Sequence, residues 1–242
     1  PGLLPGLRGC GGPVAGGGLA LVARADGGRF WRHRGGDGRL PAAVSQGADF
    51  IGFVFYKKSV RFISPEDAKA IIRKLPAKVK TVGVFVNERA QMVNHIIRYC
   101  GLKYVQLHGD ETPGFLKKIK GAGIIKALRV NGKPDVALLE KFDADMLLFD
   151  AYSKHLYGGT GKKFDWGKLS GIKLKKPFFV SGGLNAGNVS RMLKKLKPFC
   201  VDVSSGVEIS PGIKDHKLVK EFIKKARAAS RRPQAAARNK KK

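Results

Sequence analysis

From Gly47 onward the chain repeats one pattern, a short continuous apolar run followed by an amphipathic stretch, seven times over. Phe50-Ile51-Gly52-Phe53-Val54-Phe55, Thr81 to Val86, Tyr104 to Leu107, Ile124 to Val130 and Met146 to Asp150 lack the polar alternation of a half-exposed strand. They predict strands buried on both faces. The intervening stretches carry helix signals. Ser64-Pro65-Glu66-Asp67 reads as an N-cap, a first-position proline and first-turn acids. Met92, Val93, Ile96 and Ile97 recur at helical spacing, Thr112-Pro113 opens another helix, and Asp215 caps a closing one through Ala226. Strands alternating with helices imply a parallel sheet covered on its outer face. Seven units leave two architectures open. A closed eight-fold barrel needs one more unit at the front, whereas a doubly wound sheet would open on a Gly-rich phosphate loop that this chain lacks.

The last two strands carry the first functional signal. Phe178-Phe179-Val180-Ser181-Gly182-Gly183 and Cys200-Val201-Asp202-Val203-Ser204-Ser205-Gly206 each end in small residues, with one helical stretch, Asn188 to Lys195, between them. That order is a βαβ unit whose strand ends lie side by side. Adjacent turns without bulky side chains let backbone N–H groups close on an anion, and a following helix N-terminus adds its dipole. A barrel's phosphate site is often built where its last two strands end. A phosphorylated small molecule is the expected ligand.

Composition narrows the class. No apolar run approaches the roughly 18–20 residues of a membrane span. Cys10, Cys100 and Cys200 lie far apart, with no CxxC and no histidine at ligand spacing. Neither a disulfide framework nor a zinc site is expected, and a reducing cytoplasm fits. The net charge of +29 is partly local: residues 226–242 hold seven Lys/Arg and no acid. Most other lysines fall on helical stretches, such as Lys117, Lys118 and Lys120, where a solvated outer face explains them. No aromatic residues alternate with the basic ones of the tail to stack bases. Nucleic acid is therefore expected only as a non-specific partner of residues 227–242, a basic disordered tail. Residues 1–46 differ from the rest: thirteen glycines and six arginines, yet no Lys, Ile, Thr, Asn, Glu, Met or Tyr. Such a composition suggests coding sequence read out of frame, rejoining the true frame near Leu40 to Ala43.

Eight motifs stand in order: GADFIGFVFYKKSVRFISPEDA (47–68), VGVFVN (82–87), VQLHGDE (105–111), IIKALRV (124–130), LLFDAY (147–152), YGGTGKKFDW (157–166), FFVSGGLNAGNV (178–189) and VDVSSGVEISPGIKDHKLVKEFI (201–223). Over residues 47–226 the chain resembles the phosphoribosylanthranilate isomerases, cofactor-free (β/α)8-barrel enzymes of tryptophan biosynthesis. The resemblance implies an α/β fold, a (β/α)8 TIM barrel, with the first strand absent or corrupted in this chain. An open seven-stranded sheet would expose two edges and aggregate, unless residues 29–40 replaced the missing strand.

The reaction implied is an Amadori rearrangement. An aminoaldose phosphate opens to a Schiff base, passes through an enolamine and becomes a ketose. It requires an acid for the ring oxygen and a base for the C2′ proton. The resemblance implies Asp150 as the acid, at the end of the sixth barrel strand. Arg61 is implied to hold the anthranilate carboxylate, for which a guanidinium fork is suited. Gly182, Gly183, Ser204, Ser205 and Gly206 match the phosphate cradle. Asp202 faces the site, Gln106 and His108 line it, and Tyr157 to Gly161 has the glycines of a closing lid. The family's base is a cysteine in a first-strand Cys-Gly-(Ile/Val)-Thr. By position it belongs near Arg32, where Phe30-Trp31-Arg32-His33 offers none, and Cys10 lies too far upstream. Two rival functions follow: a catalytically inactive barrel that still binds sugar phosphate, and a basic nucleic-acid-associated protein. No metal and no cofactor are implied, and the expected assembly is a monomer or a homodimer.

Overall fold

Eight parallel strands close on themselves in the order of the chain, β1 pairing with both β2 and β8. This is the arrangement in a computed structural model that describes residues 18–23, 42–130, 132–151 and 166–230. The strands are β1 (Gly18–Ala23), β2 (Phe50–Val54), β3 (Lys80–Phe85), β4 (Tyr104–Leu107), β5 (Gly123–Val130), β6 (Met146–Ala151), β7 (Phe178–Val180) and β8 (Cys200–Val203). The helices are α1 (Ala42–Ser45), α2 (Pro65–Ile72), α3 (Ala90–Cys100), α4 (Pro113–Leu116), α5 (Val136–Glu140), α6 (Val189–Leu196) and α7 (His216–Ser230). A 3₁₀ turn, Trp166–Leu169, stands between β6 and β7. After β8 a short antiparallel hairpin, β9 (Glu208–Ser210) and β10 (Ile213–Lys214), precedes α7.

The first strand, expected to be absent or corrupted, is present with an altered sequence. Gly18–Ala23 takes the first-strand place, Ala20 pairing with Phe50 on one side and with Asp202 on the other. It lies upstream of the residues 29–40 considered for that place, of which nothing is described. Two unpaired parallel edges, on β2 and β8, leave rows of backbone donors and acceptors that a third strand satisfies. What remains altered is the content of the strand: GLALVA stands where Cys-Gly-(Ile/Val)-Thr was expected.

Local signals place the helices. Ser64 accepts a hydrogen bond from the Asp67 N–H at 3.1 Å and Pro65 fills the first turn. Thr112 accepts from Phe115, Asp135 from Ala137 and Leu138, and Asp215 from Lys217 and Leu218. Gly101, at φ 69°, ends α3 in the left-handed region that favours glycine.

Strand alternation splits the core into two layers. Phe50, Val82, Ile125, Ala127, Met146, Leu148, Phe179 and Cys200 fill the barrel interior. The opposite faces of the strands, with Phe53, Leu107, Leu147, Phe149 and Val180, pack against the helices. No helix among the described residues is long and apolar enough to cross a membrane.

Candidate active site

The alternation that buries Met146 and Leu148 inside the barrel carries Asp150 inward as well, one step further along β6, at the mouth formed by the strand C-termini. It is 4% exposed. On β8 the same rule turns Asp202 inward beyond Cys200, and on β4 it turns Gln106 and the following His108 inward. His108 Nε2 lies 3.1 Å from Asp150 Oδ2, and His108 Nδ1 lies 2.7 Å from Gln106 Oε1. The imidazole thus joins the Gln106 amide to the Asp150 carboxyl group.

One pocket is lined by Asp150, Asp202, Ser181–Leu184 and Val203–Gly206. Seven of the ten residues proposed from sequence meet there: Asp150, Gly182, Gly183, Asp202, Ser204, Ser205 and Gly206. Gly182 and Gly183 have φ of 85° and 67°, which side-chain-bearing residues rarely adopt. A Cβ on Gly206 would stand 1.8 Å from the Leu184 carbonyl oxygen, so the two turns can abut only if this residue is glycine. Asn188 fixes the first turn from behind, accepting from the Asn185 N–H at 2.9 Å and donating to the Gly183 carbonyl at 2.8 Å. Backbone amides of both turns can converge on an anion without any side chain intervening.

Asp202 is the anomaly of the pocket. Its Oδ1 is buried with no hydrogen-bond partner among the described residues. Burial, and then the charge of Asp150, push the carboxyl group up to about 7 against the pull of His108 and Lys214. Two carboxyl groups sharing one enclosed space resist ionising together, which helps keep Asp202 protonated towards neutral pH.

Arg61 does not line this pocket. Its Nε and Nη2 donate to Glu208 at 2.9 and 2.6 Å in a bidentate pair. Glu208 also accepts from Lys214 Nζ at 2.7 Å. Burial alone would raise the Glu208 carboxyl, but Arg61 and Lys214 bring it down to about 2. Burial lowers Lys214 to about 8 despite the attraction of Glu208. Neither Glu208 nor Lys214 was among the sequence candidates. The signal available was a Glu and a Lys six residues apart, directly after the second phosphate turn.

A second buried pair supports the site from outside the barrel. Lys126 points away from the interior and donates to Glu111 at 2.7 Å and to the Gly109 carbonyl at 2.7 Å. Glu111 in turn accepts from the Gly109 and Asn87 backbone. This knot fixes the loop that follows His108. At the mouth, Arg129 pairs with Asp110. Neither described cysteine lines the pocket: Cys200 belongs to the interior layer, and burial pushes the Cys100 thiol up to about 11. Cys10, the surroundings of Arg32, the loop Tyr157 to Gly161 and residues 231–242 lie outside the described residues.

A (β/α)8 barrel with an anion cradle at its last two strands and buried acids beside it defines a barrel enzyme acting on a phosphorylated small molecule. The family model of N-(5'-phosphoribosyl)anthranilate (PRA) isomerase matches residues 37–225. The chain belongs to that family. Its N-(5'-phosphoribosyl)anthranilate isomerase relative in Geobacter sp. (strain M21) is 44% identical over 188 residues, 78% of this chain and 92% of that protein. The one in Thermotoga neapolitana is 46% identical over 187 residues, 76% of this chain and 91% of that protein. The crystal structure of phosphoribosyl anthranilate isomerase from Thermotoga maritima superposes with a TM-score of 0.76 at 36% identity, covering 87% of this chain and 98% of that one. A further solved isomerase, 35% identical with a TM-score of 0.70 over the same shares of the two chains, was crystallised with reduced 1-(o-carboxyphenylamino)-1-deoxyribulose 5-phosphate. β1 precedes the residues that the family model matches.

Proposed function

We propose that this chain catalyses the Amadori rearrangement of N-(5-phosphoribosyl)anthranilate to the 1-deoxyribulose 5-phosphate product in tryptophan biosynthesis. The observation that carries this reading is the opening of the phosphate turns and of Asp150, itself held by His108, onto one pocket. The 5′-phosphate sits on Gly182, Gly183, Ser204, Ser205 and Gly206. Asp150 gives its proton to the ring oxygen, which opens the sugar to the Schiff base. His108, held by Gln106, orients Asp150. Arg61 turns the N–H groups not used on Glu208 toward the anthranilate carboxylate; the pair with Glu208 uses two of the five.

Removal of the C2′ proton requires a base, and Gly18–Ala23 carries no ionisable side chain. Asp202 fills the role in its ionised form: a carboxyl group titrating at about 7 is present in both forms near neutral pH, which suits a general base. The proton taken from C2′ leaves the enolamine, which becomes the ketose on tautomerisation. The family's structures include a dimeric enzyme and monomers generated from it, so this chain acts as a monomer or a homodimer. Its place is the cytoplasm, where charge retains the phosphorylated substrate.

Complementation of a tryptophan auxotroph lacking the isomerase tests the reading, with growth expected. The rival reading rests on the side chains of Gly18–Ala23: a barrel that binds the substrate analogue but supports no growth until a Cys-Gly-Val-Thr strand is restored. Analogue binding without growth would establish that rival.

A further inference from the structure

Three charged side chains beside the pocket are sequestered from water and bonded in series. Arg61 is 12% exposed at its side chain, Glu208 4% and Lys214 2%. Arg61 grips both oxygens of Glu208, Glu208 accepts from Lys214, and Lys214 donates to the Ser204 carbonyl at 2.8 Å and lies 3.4 Å from Ser204 Oγ. Ser204 belongs to the second phosphate turn. The series therefore begins at the residue proposed to hold the aromatic carboxylate and ends at the phosphate cradle.

The hairpin exists in a form that suits this connection. β9 and β10 comprise three and two residues, and Glu208 and Lys214 are cross-strand partners in their register. Alternation turns Glu208 and Lys214 inward while Ile209 and Ile213 face solvent, at 71% and 39% exposure. So small a hairpin has almost no apolar face of its own. What it contributes is a buried carboxylate and a buried ammonium at fixed positions. A buried ion pair is weak evidence for stability, and fixing one geometry is among its better attested uses.

We propose that Glu208 and Lys214 are positioning residues that tie Arg61 to the Ser204 turn, setting the separation at which the carboxylate and phosphate ends of one substrate are held. The proposal rests on the reading of this pocket as the phosphoribosylanthranilate site. A ligand with both anionic ends gains from a preset separation, because the two attachments are formed without reordering the protein. A ligand with one end gains nothing from it.

The test compares two ligands by calorimetry on the full chain: reduced 1-(o-carboxyphenylamino)-1-deoxyribulose 5-phosphate, which has both ends, and inorganic phosphate, which has one. The variants are Glu208→Gln, Lys214→Met and the two combined, with near-ultraviolet circular dichroism to establish folding. The expected result is a loss of about 10-fold or more in affinity for the two-ended analogue, while phosphate stays within about 3-fold of wild type. The combined variant should lose no more than about 3-fold beyond either single one, since each breaks the same connection. It also removes the buried pair together, so it carries the comparison if a single variant does not fold. Parallel loss of both ligands would overturn the proposal by reducing these residues to props of the cradle, and unchanged analogue affinity would overturn it as well. If the wild-type chain bound neither ligand, the reading of the pocket itself would fall, an outcome distinct from the other two.

Discussion

Asp150 and Asp202 stand on different strands, yet the chemistry of each depends on the other. If Asp150 is the acid, Asp150→Asn removes the transferable proton while keeping the shape and the contact with His108. The expected outcome in a steady-state fluorescence assay is a fall in kcat of about 10²–10⁴-fold, with KM changed by only a few-fold. Asp202 makes a separate, thermodynamic prediction. Its carboxyl is raised from 3.8 to about 7 in the fold, so between those values the folded chain holds a proton that the unfolded chain has released. Its contribution to stability is complete below about pH 4 and is lost as pH rises through about 7. Asp202→Asn should flatten this decline in a series of thermal melts from pH 4 to 8; an unchanged slope would assign the decline elsewhere. Glu208 has the opposite sign. Lowered from 4.5 to about 2, it stabilises the fold above about pH 4.5 and ceases to do so as pH falls through 2.

The two turns after β7 and β8 work as one element although a helix separates them in sequence. Gly206 is the point of contact, because any side chain there meets the Leu184 carbonyl. Gly206→Ala should therefore move the turns apart and weaken inorganic phosphate binding by about 10-fold, equivalent to about 1.4 kcal/mol, with the far-ultraviolet spectrum unchanged. The turns were legible in sequence because small residues ending two apolar runs are a local signal. So were the helix starts, where Ser64, Thr112 and Asp215 each act on a backbone N–H two or three residues away. The hairpin of Glu208–Ser210 and Ile213–Lys214 was not legible: five residues carry no periodicity, and its bonds to Arg61 span 147 positions. No spacing rule reaches that far. The knot of Lys126, Glu111 and Gly109 was missed for a related reason, since a lysine inside an apolar strand shows no partner in its own segment.

Across the whole molecule, the interior layer joins strands from opposite sides of the barrel and so makes closure cooperative. Phe179 is 1% exposed and meets Phe50 edge-on at 5.3 Å between ring centroids. Phe179→Ala should cost about 3–5 kcal/mol, read as a lowered midpoint in urea, because the barrel cannot collapse onto the space left behind. The alternation of apolar runs and amphipathic stretches determined by itself that this chain forms parallel strands with covering helices. The small-residue strand ends determined that an anion can be held where the last strands finish. Those features depend on neighbours in sequence, which is why residues alone reveal them. Closure was decided only in three dimensions: Gly18–Ala23 has little strand character of its own and takes its place because the edges of β2 and β8 need hydrogen-bonding partners. Tertiary structure also decided that Arg61 meets Glu208 and that Asp150 and Asp202 share one pocket. Charge–charge and burial effects act over distances in space, and only the closed barrel sets those distances.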